Sequence, residues 1–352
     1  MSKFLASKFD VLEAYTPGEQ PQDKKYIKLN TNESPFPPSP AVISAVNSAE
    51  VGDLRLYSDP VCRETRTAIA EVFGVGMENV IVTNGSDEAL NFLFMAMCPK
   101  GAAFADITYG FYKVFGQLHG LDCEVIPLRE DFSIDPRDYS GTDKTVFIAN
   151  PNAPTGLVLT VEQIKGILSE NPDRLVVIDE AYVDFGGESV VPLVKKYKNL
   201  VAVGTFSKSR SLAGARLGFA VADAEIIADL ETIRYSTNPY NVNRLTLLAG
   251  AAAIRDTAYF DKCRSAIIEA REYTKAELRK RGFTVTDSKA NFLFAKANGI
   301  SGKDYYLGLK ERGVLVRYFG SPRISDYVRI TVGTMEDMMT LLSETDKILQ
   351  GV

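Results

Sequence analysis

The chain has 352 residues, of which 45% are hydrophobic and 24% charged, so it has the composition of a globular protein long enough for two packed lobes. Its formal net charge is −5, and its lysines and arginines are scattered, which argues against nucleic-acid or anionic-membrane partners. The longest small apolar run, residues 247–254, is too short to span a bilayer, and the N-terminus lacks the apolar core of a secretory signal.

Cysteine and histidine usage narrows the possible chemistry. The cysteines lie far apart without a Cys-x-x-Cys pair, and there is a single histidine, His119, so the sequence predicts no metal site. We interpret the cysteines as reduced thiols of a cytoplasmic protein. Most Ser–His and Cys–His catalytic schemes are also excluded, unless His119 itself serves. The cysteines are Cys62, Cys98, Cys123 and Cys263.

The first 45 residues are rich in proline and polar residues, which predicts an extended N-terminal arm over residues 1–45. From about residue 80, short β-branched runs alternate with helical segments. This alternation predicts an α/β fold in which residues 46–240 form a large cofactor-binding domain around a mostly parallel, doubly wound sheet. The predicted strands are residues 80–83, 102–107, 123–128, 145–150, 175–180, 200–206 and 217–222.

After residue 240 the pattern of the sequence changes. A long helical tract runs from about Asn241 to Arg281, and three strand-like runs separated by helical segments follow it. We therefore expect a smaller α+β domain over residues 241–352, against which the N-terminal arm packs. Its predicted strands are residues 290–297, 314–319 and 327–333.

In a parallel α/β sheet the ligand binds beyond the carboxyl ends of the strands, so the residues that follow each strand form the candidate site. After the first predicted strand, Ser86 and Asp87 open a helix whose unpaired N–H groups can hold a phosphate, although the same pair also suits an ordinary N-cap. After the second, Tyr109 can either cover a planar ring or pack in the core.

Two further strand ends carry charged and hydroxyl groups. Asp179 ends an apolar run, where a carboxylate is costly unless it pairs with a cation or caps a helix. Lys208 follows the next strand, together with Thr205, Ser207 and, further on, Arg216. A phosphorylated pyridine aldehyde would use all of these groups, with the amine on the aldehyde, the carboxylate at the ring nitrogen and the arginine on the phosphate.

The motifs that follow the strands resemble, in the same order, those of the fold-type I aminotransferases, which use pyridoxal phosphate. The resemblance extends over almost the entire chain. The stretches YTPGEQP, KLNTNESP, RLYSDP and PYNVN are similar to those of the subfamily that acts on histidinol phosphate. The strand-end motifs are NGSDE (84–88), TYGFY (108–112), NPNAPTG (150–156), DEAYVDF (179–185), FSKSRSLAGARLGF (206–219) and VRITVG (328–333).

The resemblance implies a role for each matching residue. Lys208 forms the Schiff base with the cofactor and moves a proton between the substrate Cα and the cofactor C4′. Asp179 pairs with the pyridinium nitrogen, Tyr182 hydrogen-bonds the ring phenolate oxygen, and Tyr109 stacks on the ring. The phosphate is held by the backbone amides of Ser86 and Asp87, by the side chains of Thr205, Ser207 and Arg216, and by Tyr57 of the partner subunit.

The resemblance also implies substrate-binding residues and a homodimer with shared active sites. Arg329 binds the glutamate α-carboxylate or the substrate phosphate, and Arg317 binds the substrate phosphate or the glutamate side-chain carboxylate. Tyr15, Asn32 and Glu33 belong to the N-terminal arm and help to shape the pocket.

At one position the sequence departs from the family pattern. Many members have an asparagine immediately before Pro-Thr-Gly, and that residue contacts the ring phenolate oxygen. Here the position is Ala153, and the asparagine, Asn152, lies one residue earlier. Either Asn152 reaches the cofactor from its shifted position, or Tyr182 makes this contact alone.

The implied reaction interconverts histidinol phosphate and 2-oxoglutarate with imidazole acetol phosphate and glutamate, in histidine biosynthesis, by a ping-pong mechanism through Lys208. An aromatic amino-acid aminotransferase or a threonine-phosphate decarboxylase of the same fold stays open, because both keep the lysine and the aspartate. A nucleotide-binding oxidoreductase is excluded, because the nearest glycine-rich stretch, residues 73–80, lacks a third glycine and precedes a strand.

Overall fold

The computed structural model describes residues 5–351, which form two β-sheets covered by helices. The strands are β1 (Ile27–Leu29), β2 (Val80–Thr83), β3 (Ala102–Ala105), β4 (Cys123–Ile126), β5 (Thr145–Ala149), β6 (Val176–Asp179), β7 (Leu200–Thr205), β8 (Gly218–Ala222), β9 (Thr284–Val285), β10 (Phe292–Lys296), β11 (Val314–Tyr318) and β12 (Tyr327–Thr331). The helices are α1 (Pro40–Ala45), α2 (Ser48–Gly52), α3 (Arg63–Phe73), α4 (Ser86–Ala96), α5 (Phe111–His119), α6 (Val161–Glu170), α7 (Ala224–Thr237), α8 (Arg244–Arg255), α9 (Thr257–Lys280), α10 (Gly302–Glu311) and α11 (Met335–Leu349).

The larger sheet has seven strands in the order β2-β8-β7-β6-β5-β3-β4. Strands β3 to β7 run parallel to one another, whereas β8 is antiparallel to both β7 and β2. Apart from the edge strand β4, nearly every residue of these strands is buried, which explains why their sequences are continuous apolar runs. The predicted α/β fold with a mostly parallel sheet is confirmed.

Helices cover both faces of this sheet, so it is doubly wound. In β5, Val146 and Ile148 belong to an apolar cluster with α3, α6 and α8, whereas Phe147 belongs to a second cluster with α4, α5 and α7. This alternation follows from the two-residue period of a strand. Within residues 5–351, no helix combines the length and the apolar composition that crossing a bilayer requires.

The smaller sheet has the order β1-β11-β12-β10-β9 and comes mostly from the C-terminal part of the chain. Strand β12 lies between β10 and β11 and pairs antiparallel with both, and all three lie within the strands predicted there. Strand β1 comes from the N-terminal arm and pairs parallel with β11, with Ile27 opposite Val314. The sequence did not predict β1 or β9, because runs of three and two residues are too short to show a period.

The helical tract predicted from Asn241 to Arg281 is divided at Asp256, whose side chain accepts a hydrogen bond from the N–H of Tyr259 and caps α9. Helix α8 packs against α1 and α3 beside the large sheet, whereas α9 packs against α11 and the small sheet. We therefore propose that the division between the domains lies near Asp256 instead of at residue 240.

A close contact between β8 and the start of α4 shapes the edge of the large sheet. Gly218, the first residue of β8, lies opposite Thr83, the last residue of β2. A Cβ atom on Gly218 would come within 2.2 Å of the backbone nitrogen of Ser86 and 2.4 Å of the carbonyl carbon of Gly85. Only glycine fits here, because these neighbours are backbone atoms that move only if the helix moves.

We predict that Gly218→Ala lowers the free energy of unfolding by about 1 to 3 kcal/mol, because the added methyl group pushes the start of α4 away from β8. Urea denaturation of the cofactor-free protein measures this change. The matched control is Gly166→Ala in α6, where an added Cβ meets no atom within 4 Å and helix propensity favours alanine by up to about 1 kcal/mol. Equal effects at the two positions would contradict the prediction.

Candidate active site

Two adjoining cavities, of about 330 and 520 Å³, lie beyond the carboxyl ends of the parallel strands. Both are lined by Thr31, Tyr109, Ala153, Tyr182 and Lys208. Of the other residues predicted for the site, the first cavity contains Glu33, Ser86, Asp87, Asp179, Thr205, Ser207 and Arg216. The second contains Tyr15, Asn32, Arg317 and Arg329.

Lys208 lies where the two cavities meet. It follows β7 by three residues, and its Nζ atom is 3.3 Å from the carbonyl oxygen of Thr31, which accepts a hydrogen bond. The same Nζ atom is 5.8 Å from the centroid of the Tyr182 ring. A primary amine in this position can reach ligands in either cavity.

Asp179 ends β6 and is only 5% exposed. Its Oδ1 atom accepts a hydrogen bond from the N–H of Ala181 at 3.1 Å, and its Oδ2 atom accepts one from the hydroxyl of Tyr112 at 3.0 Å. Burial raises the pKa of this carboxyl to about 6, although both hydrogen bonds favour the ionised form. The carboxylate is therefore suited to a cationic group in the first cavity.

The start of α4 forms a cradle for an anion. Its N-cap, Gly85, has φ 76° and no side chain to cap the helix, and a Cβ there would lie 2.5 Å from Nη2 of Arg216. Arg216 itself bonds the Asp87 carboxylate at 3.0 Å. Because a helix N-terminus and a guanidinium both attract negative charge, and hydroxyls from Thr205 and Ser207 line the same cavity, the arrangement suits a phosphate.

Three aromatic side chains, one of them from the arm, lie together beside this cradle. The hydroxyl of Tyr109 donates to Asp87 Oδ1 at 2.7 Å, which holds the ring in place. Tyr15 stacks on Phe111 with centroids 4.3 Å apart, and its ring centroid lies 6.4 Å from that of Tyr109. Of these three residues Tyr109 lines the first cavity, where it offers an aromatic face to a planar ring.

The second cavity contains two arginines on adjacent strands. Arg317 of β11 lies opposite Arg329 of β12, and like charges in this register repel each other. Arg317 donates to the carbonyl oxygens of Thr16 and Pro17, and Arg329 donates to that of Asn30. Burial lowers the pKa of Arg329, and its Nε atom is buried without a partner among the described residues. A carboxylate or phosphate would relieve the repulsion and take up the remaining donors.

Asn152 is not part of either cavity. It is 2% exposed, its amide nitrogen donates to the carbonyl oxygen of Ile107 and to Thr155, and its amide oxygen accepts from Thr108. Every polar atom of the side chain is thus used in holding the turn together. The expectation that Asn152 binds the cofactor is corrected accordingly, because Ala153 lines the cavities in its place.

Tyr57 also lies outside both cavities of its own chain. Its side chain is 81% exposed and stacks on Tyr240 with centroids 4.4 Å apart. Glu33 lines the first cavity but forms an ion pair with Lys28 at 2.6 Å. Asn32 is 1% exposed, and its side-chain nitrogen donates to the hydroxyl of Tyr182.

Two residues that act on the site were not predicted from the sequence. Tyr112 is fully buried in the first turn of α5 and bonds Asp179; its closeness in the chain to Tyr109, three residues earlier, was the available signal. Thr31 contributes its carbonyl oxygen to Lys208, and a backbone contact of this kind leaves no trace in side-chain patterns.

Comparison with known proteins assigns the family. A family model described as aminotransferase class I and II matches residues 24–344. The chain belongs to the class I and II aminotransferases. Within the curated relatives, this aminotransferase is 49% identical over 354 residues to the histidinol-phosphate aminotransferase of Brachyspira hyodysenteriae and 48% identical to that of Clostridium acetobutylicum, with 100% of each chain covered.

Solved structures agree on the fold of this class I and II aminotransferase. The crystal structure of histidinol-phosphate aminotransferase from Sinorhizobium meliloti in complex with pyridoxal-5′-phosphate has a TM-score of 0.87 to it. That likeness covers 100% of this chain and 99% of the other, at 21% sequence identity.

Class I and II aminotransferases use pyridoxal phosphate, and the residues of the first cavity fit this cofactor. Lys208 provides the amine, and Asp179 is a buried carboxylate whose charge calls for a cationic partner. The cradle at Gly85, which any side chain would fill, leaves room for a phosphate beside Arg216. The amine, the carboxylate and the cradle thus match the aldehyde, the ring nitrogen and the phosphate of pyridoxal phosphate.

We predict that ionisation of Asp179 destabilises the cofactor-free protein. The folded-state pKa of about 6 lies above the ordinary value of 3.8, so its stabilising contribution is complete below pH 3.8 and is lost as the pH rises through 6. Asp179→Asn stays neutral, and its amide can accept from Ala181 and donate to the Tyr112 hydroxyl oxygen. Its advantage in unfolding free energy over the wild type should grow by about 2 to 3 kcal/mol between pH 4 and pH 8.

Denaturant titrations of both proteins at the two pH values measure this difference. If the difference in unfolding free energy between Asp179→Asn and the wild type were the same at both pH values, ionisation of Asp179 would not be its cause.

Proposed function

We propose that this aminotransferase interconverts histidinol phosphate and 2-oxoglutarate with imidazole acetol phosphate and glutamate, as one step of histidine biosynthesis. The observation that carries the proposal is the continuity of two cavities, one with an amine beside a buried carboxylate and the other with paired arginines. Two relatives that align over their full length are named for this activity, which supports it.

Bound pyridoxal phosphate supplies a ring that accepts the electron pair released when a bond at the substrate Cα breaks. Lys208 would hold its aldehyde carbon, and Asp179 its ring nitrogen. The start of α4 and Arg216 would hold its phosphate, with the hydroxyls of Thr205 and Ser207 as further donors. Each of these groups lines the first cavity.

Residues of this chain would transfer and hold the protons. The Lys208 amino group would remove the proton from the substrate Cα and deliver it to C4′. The charge of Asp179 would keep a proton on the ring nitrogen, and Tyr112 together with the Ala181 N–H orients that carboxylate. Tyr109, which lines the first cavity, would stack on the ring.

Two different anionic substrates must use the same pocket in turn. Glutamate brings a side-chain carboxylate, and histidinol phosphate brings a phosphate. The planar guanidinium groups of Arg317 and Arg329 match both anions with paired N–H donors. One product leaves before the second substrate enters, so the kinetics are ping-pong.

We further propose a cytoplasmic homodimer with shared active sites. Tyr57 is strongly exposed, and the residues before it include the exposed apolar side chains of Val51, Leu54 and Leu56. An apolar segment of this kind is covered when a second copy packs on it, which would bring Tyr57 of the partner subunit to the phosphate. The cysteines are free thiols, as expected in a reducing compartment.

The proposed activity is tested by titrating the visible absorbance of the protein loaded with pyridoxal phosphate. Histidinol phosphate should convert the absorbance to that of the pyridoxamine form, and 2-oxoglutarate should restore it. Conversion by phenylalanine but not by histidinol phosphate would instead support an aromatic aminotransferase. Release of carbon dioxide from threonine phosphate would support the decarboxylase, and a protein that gains no absorbance would contradict all three.

We predict that Lys208→Ala abolishes turnover without loss of the fold, because no other amine of residues 5–351 lines the first cavity. The added cofactor should no longer resist removal by gel filtration, and far-ultraviolet circular dichroism should match the wild type. Lys198→Ala, at an exposed lysine, is the control and should retain both activity and cofactor. Full activity of Lys208→Ala would refute the role of Lys208.

We predict that Arg329→Ala raises the KM for histidinol phosphate and for glutamate by about 10- to 100-fold, because each substrate loses a charged hydrogen bond. The affinity for pyridoxal phosphate should change far less, since Arg329 lines the second cavity and not the first. Steady-state kinetics and equilibrium cofactor binding measure the two effects. Equal losses of both would place Arg329 outside the substrate pocket.

A further inference from the structure

Tyr182 lines both cavities, and its hydroxyl group can either donate a hydrogen bond to a ligand or accept one. Among residues 5–351 this hydroxyl has one hydrogen-bond partner, the side-chain Nδ2 atom of Asn32, at a distance of 2.9 Å. The direction of that bond therefore decides what Tyr182 offers to a ligand.

Thr331 fixes the orientation of the Asn32 amide. The backbone N–H of Asn32, which can only donate, lies 2.9 Å from Oγ1 of Thr331. The Thr331 hydroxyl accepts there and donates its own hydrogen to Oδ1 of Asn32, also at 2.9 Å. Thr331 is 2% exposed, and among residues 5–351 its hydroxyl hydrogen has no other acceptor, so turning the amide round would leave that hydrogen buried and unpaired. This cost favours the orientation in which Oδ1 faces Thr331 and the amide nitrogen faces Tyr182.

An amide nitrogen only donates, so the Tyr182 oxygen accepts the bond from Asn32. The hydroxyl hydrogen of Tyr182 must then point away from Asn32. No other atom in the described part of the chain accepts it. That hydrogen is left for a ligand in the cavities.

The surroundings of Asn32 hold the amide in this orientation. Asn32 is 1% exposed, and its carbonyl oxygen accepts a hydrogen bond from the side chain of Asn291 at 3.0 Å. Its backbone is left-handed, with φ 56°, a conformation that asparagine and aspartate adopt more readily than most residues. The position therefore tolerates Asn32→Asp without added backbone strain.

We propose that the chain Thr331–Asn32–Tyr182 makes Tyr182 a hydrogen-bond donor toward the ligand, with Asn32 as the positioning residue that sets this direction. The acceptor is an anionic ligand oxygen, such as the phenolate oxygen of pyridoxal phosphate, so the inference rests on the proposed function. Ala153 lines both cavities with a methyl group and supplies no second donor. Asn32 acts on the cofactor through Tyr182, in contrast to the substrate-binding role that the family resemblance implied.

Lys208 lies 5.8 Å from the Tyr182 ring, and Arg329, Tyr15 and Tyr109 interact with it electrostatically at longer range. Four further charged groups line the first cavity with Tyr182, namely Glu33, Asp87, Asp179 and Arg216. All eight groups stay unchanged in the variants below. A change in the titration of the bound cofactor can therefore be assigned to the hydrogen-bond chain.

The test is the pH midpoint at which the visible absorbance of bound pyridoxal phosphate changes, measured for the wild type, Asn32→Asp, Tyr182→Phe and the double variant. Asn32→Asp replaces the donor with an acceptor, so the Tyr182 hydroxyl turns away from the cofactor. The cofactor oxygen loses a donor, and the chromophore holds its proton more tightly. We expect Asn32→Asp to raise the midpoint by about 1 pH unit more in the wild-type background than in Tyr182→Phe.

The double variant separates hydrogen-bond direction from charge. A new carboxylate acting by its charge alone would raise the midpoint equally in both backgrounds, and that result would overturn the proposal. An unchanged midpoint in Asn32→Asp would overturn it as well. Should Asn32→Asp fail to fold, Thr331→Val takes its place, because it frees the Asn32 amide to turn. Thr331→Val should raise the pH midpoint by less than Asn32→Asp would, and only in the protein that keeps Tyr182. Any other result counts against the proposal.

The matched control is Asn79→Asp, outside both cavities. The Asn79 amide nitrogen donates to the carbonyl oxygen of Ala222 at 2.8 Å, and its oxygen accepts from Gly76 at 3.2 Å, so the same substitution removes a comparable donor. The midpoint should stay at the wild-type value. A wild-type protein that binds no pyridoxal phosphate would refute the proposed function. If the wild type transaminates but the pH midpoint of its bound cofactor is the same in Asn32→Asp, only this inference is refuted.

Discussion

The burial of the Asp179 carboxylate at the end of β6 is the constraint around which the active site is organised. Two hydrogen bonds, from Tyr112 and from the N–H of Ala181, offset part of the desolvation, yet burial still raises the pKa of the carboxyl to about 6. In the proposed function, the protonated ring nitrogen of the cofactor would supply the missing positive charge. The stability of the cofactor-free fold therefore favours a neutral side chain at this position, whereas affinity for the cofactor favours a charged one. Such a conflict between stability and function is common at functional sites.

The N-terminal arm completes the site from the other side. Lys208, Arg317 and Arg329 each donate to backbone carbonyl oxygens of the arm, which lie between residues 16 and 31. A neutral carbonyl is a weaker acceptor than a carboxylate or phosphate, so an anionic substrate competes well for these donors. Strand β1 anchors the arm to the small sheet next to β11, which carries Arg317. A change in the position of the arm would therefore change which hydrogen-bond donors of Lys208, Arg317 and Arg329 are free for a ligand.

Much of the fold could be predicted because its strands are buried on both faces. Strands β5 and β7 are continuous apolar runs that stand out from the helical segments between them, and both appear where expected. The division of the helical tract at Asp256 was missed, because the capping bond to Tyr259 is visible only in three dimensions. For a related reason, the sequence left open whether Asn152 reaches the cofactor from its shifted position: the bonds by which its amide holds the turn are visible only in three dimensions.

The sequence by itself determined which groups come together, since Lys208, Asp179 and the start of α4 follow strands whose carboxyl ends must meet at one edge of a parallel sheet. Only the tertiary structure decided which hydrogen bonds orient those groups. The bond from Asn32 to Tyr182 joins residues 150 apart, and the one from Arg329 to Asn30 joins residues 299 apart. Contacts of this range depend on how the arm and the two sheets pack, and no local pattern of residues encodes that packing.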